Sequence, residues 1–279
     1  MDVPFRALIN GKMQSHIDVR DRGLAFGDGV FETIAIKNGK ALCWDLHMKR
    51  LMDGARHLGL PPPDPILYTD EMHILCGSIP RAVLKLIWTR GVSERGYRAT
   101  GSDLPTRILT LSAWHRYPAH WGQEGVAVRL CRQTWSRQPA LAGIKHLNRL
   151  EQVLARAEWT DEYQEGLMRD DRGDVISGTA SNLFLVASGI LCTPDLSSCG
   201  VCGTIRTCVI ATARHLQIPF EIRRVPLPFL IERAEEIFLT NSLIGIWPIL
   251  RIEGHGYSVG KVTRKLHDEL IAQNVVAGL

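Results

Sequence analysis

The sequence lacks a strong charge of either sign, a long apolar run and a signal-peptide pattern. Its 33 basic and 29 acidic residues give a net charge of +4 and are scattered along the chain, which argues against a nucleic-acid-binding stripe. No apolar run is long enough to span a bilayer. The opening MDVPFRALING also lacks the apolar stretch that is typical of a signal peptide. We therefore expect a cytoplasmic protein with neither a nucleic-acid partner nor a membrane anchor.

The cysteine pattern does not indicate a metal site. There are seven cysteines, and Cys199-Gly-Val-Cys202 is the only Cys-x-x-Cys sequence among them. A zinc site would need a second pair at a suitable spacing. We expect no metal, and we interpret the cysteines as buried or unreactive thiols in a reducing compartment.

Several common catalytic motifs are also missing. The sequence has no G-x-S-x-G, no H-E-x-x-H and no G-x-x-x-x-G-K-[ST]. The GDG at 27–29 is too short for a dinucleotide-binding fingerprint. The absence of these motifs argues against a serine hydrolase with a G-x-S-x-G motif, a metalloprotease with an H-E-x-x-H motif and a phosphate-loop nucleotide-binding protein.

The chain does have enough apolar residues for two modest domains, since 45% of its 279 residues are hydrophobic. Asn10-Gly11 and Asn38-Gly39 each indicate a tight turn between two strands. Helical segments, one of them through Asp70 to Gly77, and the strands RAVLKLIWTRG and TRILTLSAW complete an α+β domain over 1–115. The polar stretch at 116–122 is interpreted as a linker. A second mixed domain then occupies 123–279.

Two segments of the second domain carry candidate chemistry. The second half of the stretch 141–159, LAGIKHLNRLEQVLARAEW, is typical of an amphipathic helix with an apolar stripe, and Lys145 lies at its front edge. Taken alone, Lys145 could be ordinary surface charge. Further on, Gly200 and Gly203 precede a helix predicted to begin near Thr204. The free N–H groups at such a helix start can seat a phosphate, although a plain glycine loop capped by Thr204 would have the same sequence.

In order and spacing, these segments resemble the fold-type IV, or class IV, pyridoxal-phosphate enzymes. This family includes branched-chain and D-amino-acid aminotransferases and aminodeoxychorismate lyases. The matching stretches are LINGK…DRGLAFGDGVFET (8–33), HMKRL (47–51), GIKHLNRLEQVL (143–154), SNLFLV (181–186), GVCGTIR (200–206) and EEIFLTNS (235–242). The resemblance covers nearly the whole chain. It implies a smaller N-terminal α/β domain, a larger C-terminal pseudo-barrel domain, pyridoxal 5'-phosphate as cofactor and a homodimer.

Within the family, Lys-x-Leu-Asn-Arg-Leu-Glu from Lys145 is similar to the lyase members, as are RGY at 95–97 and PTRILTLSA at 105–113. The lyase reading implies elimination of pyruvate from aminodeoxychorismate to give 4-aminobenzoate for folate biosynthesis. Two alternatives stay open. One is a D-amino-acid or branched-chain aminotransferase of the same fold, and the other is a cofactor-binding protein with reduced or lost activity.

The resemblance also implies roles for individual residues. Lys145 corresponds to the Schiff-base lysine, which then acts as general base and acid. Arg50 corresponds to a phosphate-binding arginine, and the backbone N–H groups of Ile205 and Arg206 to the turn around the phosphate. Further cofactor-binding candidates are Ser177, Thr240, Asn241 and Ser242.

For the substrate, Arg107 is the candidate ligand of a carboxylate, with an ordinary arginine at a strand edge as the alternative. Tyr97 and Arg95 come from the same region of the chain, and Tyr97 is a further substrate-binding candidate. The resemblance also implies that Phe26, Phe31 and Glu32 build the active-site wall near the dimer interface, with Phe31 expected to bind substrate.

Ser177 departs from the family pattern. Family members usually carry an acidic residue five positions before the Asn of SNLF, facing the pyridine nitrogen of the cofactor, and this position is Ser177 here. A hydroxyl can hydrogen-bond that nitrogen but cannot hold a proton on it as a carboxylate does. Asp174 is offset by three residues, so strand alternation directs it elsewhere. We hypothesise that Ser177 favours elimination over transamination; the alternative is that it reduces activity.

Overall fold

The computed structural model describes residues 3–99, 104–115 and 117–276. It contains two compact units. Unit 1 comprises Met1–His115 together with Ile144–Asn148, and unit 2 comprises Arg116–Gly143 and Arg149–Leu279. The domain limits inferred from sequence remain a prediction; in the structure the short segment around Lys145 packs with unit 1.

Unit 1 is built on one antiparallel sheet. Its strands are β1 (Arg6–Ile9), β2 (Lys12–Met13), β3 (Gly29–Lys37), β4 (Lys40–Ala41), β5 (Arg81–Thr89) and β6 (Thr106–Ser112), and its helices are α1 (Arg22–Phe26), α2 (Trp44–His57) and α3 (Pro65–Cys76). The strand order is β2-β1-β6-β5-β3-β4. Both predicted Asn-Gly turns are present, with positive φ at Asn10 and Asn38 and at the glycine after each.

Strand alternation gives this sheet two different faces. Ile34 of β3 and Leu84 and Leu86 of β5 are fully buried, and they form one core with Leu51 of α2 and Tyr68 of α3. This helix-covered face accounts for the apolar alternation of the strands.

Unit 2 holds a larger mixed sheet. Its helices are α4 (His120–Gln123), α5 (Leu150–Arg156), α6 (Thr204–His215), α7 (Leu227–Arg233) and α8 (Lys261–Ala272), and its strands are β7 (Val126–Leu130), β8 (Glu165–Arg169), β9 (Val175–Gly178), β10 (Asn182–Ala187), β11 (Ile190–Pro194), β12 (Phe220–Arg223), β13 (Glu236–Asn241), β14 (Gly245–Ile252) and β15 (His255–Gly256). The strand order is β12-β11-β10-β13-β14-β7-β8-β9, and β9 also pairs with β10 through Ser177 and Asn182. The sheet therefore closes on itself, which confirms the α+β class and the barrel-like second part.

Two local predictions need correction. Helix α3 begins at Pro65 rather than near Asp70, because the Asp64 carboxylate accepts a hydrogen bond from the Ile66 N–H (2.8 Å) and proline suits the first helical turn. Part of the stretch interpreted as a linker packs within unit 2, where the Tyr117 and Trp121 rings lie 4.8 and 5.1 Å from the Trp247 ring.

The predicted helix after Lys145 is also shorter than its sequence pattern. Helix α5 begins only at Leu150, since residues 143–149 form isolated β-bridges and a bend rather than a helix. The apolar stripe of the predicted helix includes Leu150, Val153 and Leu154, and these three side chains are exposed. In the described part of the chain, no helix has both the length and the apolar character needed to cross a membrane.

Candidate active site

Lys145 lies in an extended segment that hydrogen-bonds to the start of β3. The Phe31 N–H donates to the Lys145 carbonyl (3.0 Å), and the Leu147 N–H donates to the Gly29 carbonyl (3.0 Å). Ile144 and His146 are buried on either side, while Lys145 is half-buried. Its Nζ lies 4.3 Å from the centre of the Phe31 ring. The backbone pairing thus fixes the direction of the lysine side chain, and the structure brings Lys145 and Phe31 together.

A buried charge cluster lies between β3 and α2. The fully buried Glu32 carboxylate accepts a hydrogen bond from Arg50 Nε at Oε1 (2.7 Å) and a second one from Arg50 Nη2 at Oε2. His47 Nδ1 lies 2.6 Å from the same Oε2. His47 and Arg50 are three residues apart and therefore share one face of the helix. This two-pronged pairing holds the Arg50 guanidinium in one orientation.

The cluster sets the charges of its members. Burial alone would raise the pKa of Glu32, but the charge of Arg50 and hydrogen bonds from Arg50 and His47 outweigh it and lower that pKa to about 2. Burial also lowers the pKa of His47, against the opposing effect of Glu32. Glu32 is therefore a carboxylate, and His47 is a neutral imidazole, at neutral pH. A neutral His47 donates its Nδ1 proton to Glu32.

In unit 2, the glycine turn before α6 is held from two sides. The Gly143 N–H donates to the Gly200 carbonyl (2.9 Å), and the Cys202 N–H donates to the Gly143 carbonyl (3.0 Å). Asn182 Nδ2 donates to the Val201 carbonyl (2.8 Å). Gly200 has a φ of 90°, a conformation that side chains disfavour. The turn therefore has a fixed shape.

The start of α6 presents backbone donors without a capping side chain. Gly203 occupies the N-cap, and the N–H groups of Ile205 and Arg206 follow in the first turn, where no carbonyl of the helix can reach them. The Arg206 side chain points away, because its Nε donates to Thr193 Oγ1 (3.2 Å). The Thr204 and Ser242 hydroxyls meet there at 3.2 Å. Amides and hydroxyls arranged in this way are able to bind an anion.

Thr240 and Asn241 use their polar groups to build the neighbouring turn. Thr240 Oγ1 donates to the Gly245 carbonyl (2.7 Å), and Asn241 Oδ1 accepts from the Leu243 N–H (2.8 Å). Of the three candidates at the end of β13, the structure brings only Ser242 to the start of α6. The other two shape the segment that carries it.

The Ser177 hydroxyl is occupied on both sides. It accepts a hydrogen bond from the Trp135 indole N–H (3.0 Å) and donates its proton to the Gly178 carbonyl (2.7 Å). Asp174 forms an ion pair with Arg224 at 2.6 Å. Ser177 has no carboxylate, and the carboxylate of Asp174 is paired with Arg224. Neither residue therefore replaces the acidic residue that family members usually carry at this position.

The substrate candidates are not brought together. Arg107 forms a bidentate pair with Glu71 of α3, at 2.7 Å for both contacts. It is in register with Trp88, which is in register with Val30, so Arg107 lies on the helix-covered face while Phe31 lies on the other. The proposed Arg107 role as a carboxylate ligand is thus not supported by this geometry. Tyr97 is 87% exposed and contacts Phe26.

Replacing Gly203 with alanine should destabilise the α6 start. A Cβ atom there would lie 2.0 Å from Oδ1 of the buried Asn182, whose amide holds the turn. We expect a loss of about 1–3 kcal/mol in the free energy of unfolding, measured with urea. Gly254→Ala is the matched control, since a Cβ at Gly254 meets no atom within 4 Å. Equal unfolding midpoints for the two variants would contradict the close approach.

Comparison with known proteins decides the family. Residues 29–252 match the family Amino-transferase class IV. The chain belongs to this family. Class IV relatives with two different activities are similar to it over almost their whole length.

An aminodeoxychorismate lyase from Vibrio harveyi is 33% identical over 94% of this chain and 98% of its own. The crystal structure of 4-amino-4-deoxychorismate lyase from Pseudomonas aeruginosa superposes with a TM-score of 0.93 at 43% identity, covering 96% of this chain and 99% of that one. A D-alanine aminotransferase from Staphylococcus aureus is 26% identical over 94% of this chain and 95% of its own. The fold inferred from the class IV resemblance is confirmed.

Some functional contacts of this class IV chain were not predicted. The sequence pattern did not identify His47 and Glu32 as partners of Arg50, although the spacing of His47 and Arg50 on one helix face is a usable signal. Nor did it pair Thr204 with Ser242, or Trp135 with Ser177. These pairs join distant positions, which local patterns do not reveal.

Proposed function

We propose that this protein is a pyridoxal-phosphate-dependent aminodeoxychorismate lyase, which converts aminodeoxychorismate to 4-aminobenzoate and pyruvate. The main support for this proposal is the similarity to two lyases, which are 33% and 43% identical to this chain over nearly the whole length of each pair. The backbone pairing of the Lys145 segment with the start of β3, and the backbone donors at the start of α6, support this proposal.

The residues present fit the cofactor. Lys145 would hold its aldehyde carbon; the Ile205 and Arg206 amides with Ser242 would hold its phosphate, assisted by Arg50. The N-cap glycine supports this fit, because it leaves the first-turn amides without a side-chain cap. When bound, pyridoxal phosphate withdraws electrons from the carbon that bears the substrate amine.

Lys145 carries out the proton transfers in this proposal. Its Nζ, in neutral form, removes the proton from the ring carbon that bears the amine. The C–O bond at the neighbouring carbon then breaks, and the electron pair leaves with the enolpyruvyl oxygen as an enolate. The enolate takes up a proton, in balance with the one that Lys145 removed, and becomes pyruvate. The ring becomes aromatic. Phe31, packed against the lysine, restricts its Nζ to one side of the sheet.

Ser177 would influence which reaction dominates. Its proton is engaged with Gly178, so it does not protonate a pyridine nitrogen, and fast loss of the leaving group suits such a weak electron sink. Ser177→Glu should therefore raise transamination of D-alanine or branched-chain amino acids relative to lyase turnover, measured as the ratio of the two rates. Ser177→Gln, of matched size but neutral, should not. An unchanged ratio in Ser177→Glu would contradict this role.

We also propose a homodimer located in the cytoplasm. The exposed apolar residues of α5, Leu150, Val153 and Leu154, provide a surface that a second copy could cover. All seven cysteines are free thiols, in keeping with a reducing compartment. A single-chain mass by light scattering would contradict the dimer.

The test of function supplies the protein with aminodeoxychorismate, generated from chorismate and glutamine by a synthase. We expect 4-aminobenzoate and pyruvate in equal amounts. The class IV aminotransferase relatives motivate a parallel assay with D-alanine or a branched-chain amino acid and 2-oxoglutarate. Efficient transamination with no 4-aminobenzoate would support the aminotransferase alternative. A protein that takes up cofactor but is inactive in both assays would support loss of activity.

A further inference from the structure

Trp135 and Ser177 form a buried side-chain pair at the end of β9. We propose that Trp135 is a positioning residue, which makes the Ser177 hydroxyl a hydrogen-bond acceptor towards the pyridine nitrogen of the cofactor. The inference rests on the proposed function, because it assumes that the cofactor binds with its phosphate at the start of α6 and its ring nitrogen towards Ser177. No role for Trp135 followed from the sequence.

The sheet pairing places Ser177 beside the turn that precedes α6. Ser177 of β9 is opposite Asn182 of β10. The side-chain amide of Asn182 donates to the Val201 carbonyl (2.8 Å), which belongs to the turn that leads into α6. A cofactor held by the first-turn amides of α6 would therefore lie beside Ser177.

The partners of Ser177 decide which way its hydroxyl proton points. An indole N–H is a donor only, so Ser177 Oγ is the acceptor in its 3.0 Å contact with Trp135 Nε1. The single hydroxyl proton goes to the Gly178 carbonyl (2.7 Å). A hydroxyl oxygen has two lone pairs, and Trp135 is the one side chain of the described residues that donates to this oxygen. One lone pair is left, so Ser177 can accept a further hydrogen bond but cannot donate one.

This polarity suits a protonated ring nitrogen. The N–H of a protonated pyridine donates to an oxygen lone pair, whereas an unprotonated pyridine nitrogen needs a donor. An acceptor at Ser177 therefore favours the protonated nitrogen, although less than a carboxylate does, since the hydroxyl carries no charge. Trp135 thus gives Ser177 part of the effect of the usual acidic residue, and the electron sink is weakened rather than lost.

The Trp135 ring is held from several sides. The Trp135 backbone N–H donates to the Arg169 carbonyl (2.8 Å), and the ring packs in a buried cluster with Met168 and Ile176. The central guanidinium carbon of Arg149 lies 5.6 Å from the centre of the ring, which is within the range of a cation–π contact. The indole N–H therefore keeps one direction, and it fixes the position of the Ser177 oxygen.

The two buried carboxylates near the end of β9 are committed elsewhere. Asp174 is paired with Arg224. The Glu165 carboxylate accepts hydrogen bonds from the hydroxyls of Thr179 and Ser181, in the loop between β9 and β10. Since both carboxylates are occupied, the acceptor for the ring nitrogen falls to Ser177.

The first experiment compares Trp135→Phe with wild type and with Trp159→Phe. Phenylalanine keeps an aromatic ring but has no N–H. Trp159 belongs to the same buried cluster, and its indole N–H has no hydrogen-bond partner among the described residues, so it is the matched control. Each protein is loaded with pyridoxal phosphate that is isotope-labelled at the ring nitrogen, and NMR reports the protonation of that nitrogen.

In Trp135→Phe the nitrogen signal should shift towards that of unprotonated pyridine. Without the indole N–H, the Ser177 hydroxyl is able to turn and donate to an unprotonated nitrogen. A neutral hydrogen bond is worth enough to change the protonation equilibrium roughly 2- to 10-fold. Trp159→Phe should keep the wild-type signal. A wild-type nitrogen that is fully unprotonated at neutral pH would overturn the inference.

A double-mutant cycle shows whether Trp135 acts through Ser177. Ser177→Ala removes the acceptor, so it should shift the nitrogen signal in the same direction as Trp135→Phe. Adding Trp135→Phe to Ser177→Ala should then produce no further shift. A merely structural Trp135 would lower the free energy of unfolding without moving the signal. If Trp135→Phe does not fold, an unchanged signal in Ser177→Ala overturns the inference by itself.

The failures of the two proposals are distinguishable. Identical nitrogen signals in wild type, Trp135→Phe and Trp159→Phe overturn the Trp135 inference and leave the lyase function standing. The nitrogen signal requires bound cofactor but no turnover. A wild type that forms no 4-aminobenzoate therefore contradicts the lyase function, while the nitrogen signals still decide the role of Trp135.

Discussion

Lys145→Ala is expected to lower 4-aminobenzoate formation by about 10³-fold or more. The variant loses both the covalent attachment of the cofactor and the amine that moves the proton, and positioned proton transfer alone contributes about 10²–10⁴-fold. The visible absorbance of lysine-bound cofactor should disappear as well. Both are measured on protein purified with added pyridoxal phosphate.

Lys145→Arg provides the matched control. It keeps a positive charge beside Phe31 but stays protonated at any ordinary pH, so it should be as inactive as the alanine variant. Unfolding curves should stay near wild type for both, since Lys145 is half-buried and its segment pairs with β3 through backbone atoms. An alanine variant that keeps a tenth of the wild-type rate would exclude Lys145 as the catalytic base.

Glu32→Gln is expected to have the largest effect on stability. It removes the carboxylate that balances the positive charge of Arg50 and accepts the hydrogen bond from His47. Breaking a buried pair in this way costs about 3–5 kcal/mol in the free energy of unfolding. Urea unfolding measures this loss. The released Arg50 should also bind the cofactor phosphate less tightly, which titration with pyridoxal phosphate measures.

Glu71→Gln is the control for this effect. Glu71, on α3, also forms a bidentate pair with an arginine of unit 1, Arg107 of β6, but neither residue has a proposed role in holding the cofactor. Both substitutions should lower stability, and only Glu32→Gln should weaken cofactor binding. If Glu32→Gln lies within 1 kcal/mol of wild type, the cluster does not have the proposed energetic role.

The same cluster predicts acid sensitivity. The folded pKa of Glu32, about 2, is below its ordinary value of 4.5, so its contribution is complete above 4.5 and is lost as pH falls towards 2. The pKa of His47 is also lowered from 6.5, so below that pH the unfolded state gains a proton that the folded state resists. Both effects destabilise the fold in acid. Urea midpoints between pH 7 and 3 should fall more steeply for wild type than for Glu32→Gln.

Local patterns predicted a large part of the fold. The Asn-Gly turns, the strands β5 and β6 and the start of α6 at Thr204 follow from residue types close together in sequence. The segment around Lys145 did not, because its apolar and charged residues fit a helix while its backbone pairs with β3. Pairing with a strand more than 100 residues earlier is invisible to a local pattern.

The site was predicted less completely for a similar reason. The resemblance implied roles for Lys145, Arg50 and the α6 turn, and these stay proposals that the geometry supports. For Arg107, the residue type was suitable, but strand register decided which face it lies on.

The central claim is that this chain eliminates pyruvate rather than transferring an amino group. The most direct measurement follows aminodeoxychorismate, 4-aminobenzoate and pyruvate together during turnover by the cofactor-loaded protein. The proposed function predicts loss of one substrate for each molecule of both products, and no reaction with Lys145→Ala. Unconsumed aminodeoxychorismate, beside active transfer of the amino group of D-alanine or a branched-chain amino acid to 2-oxoglutarate, would contradict it.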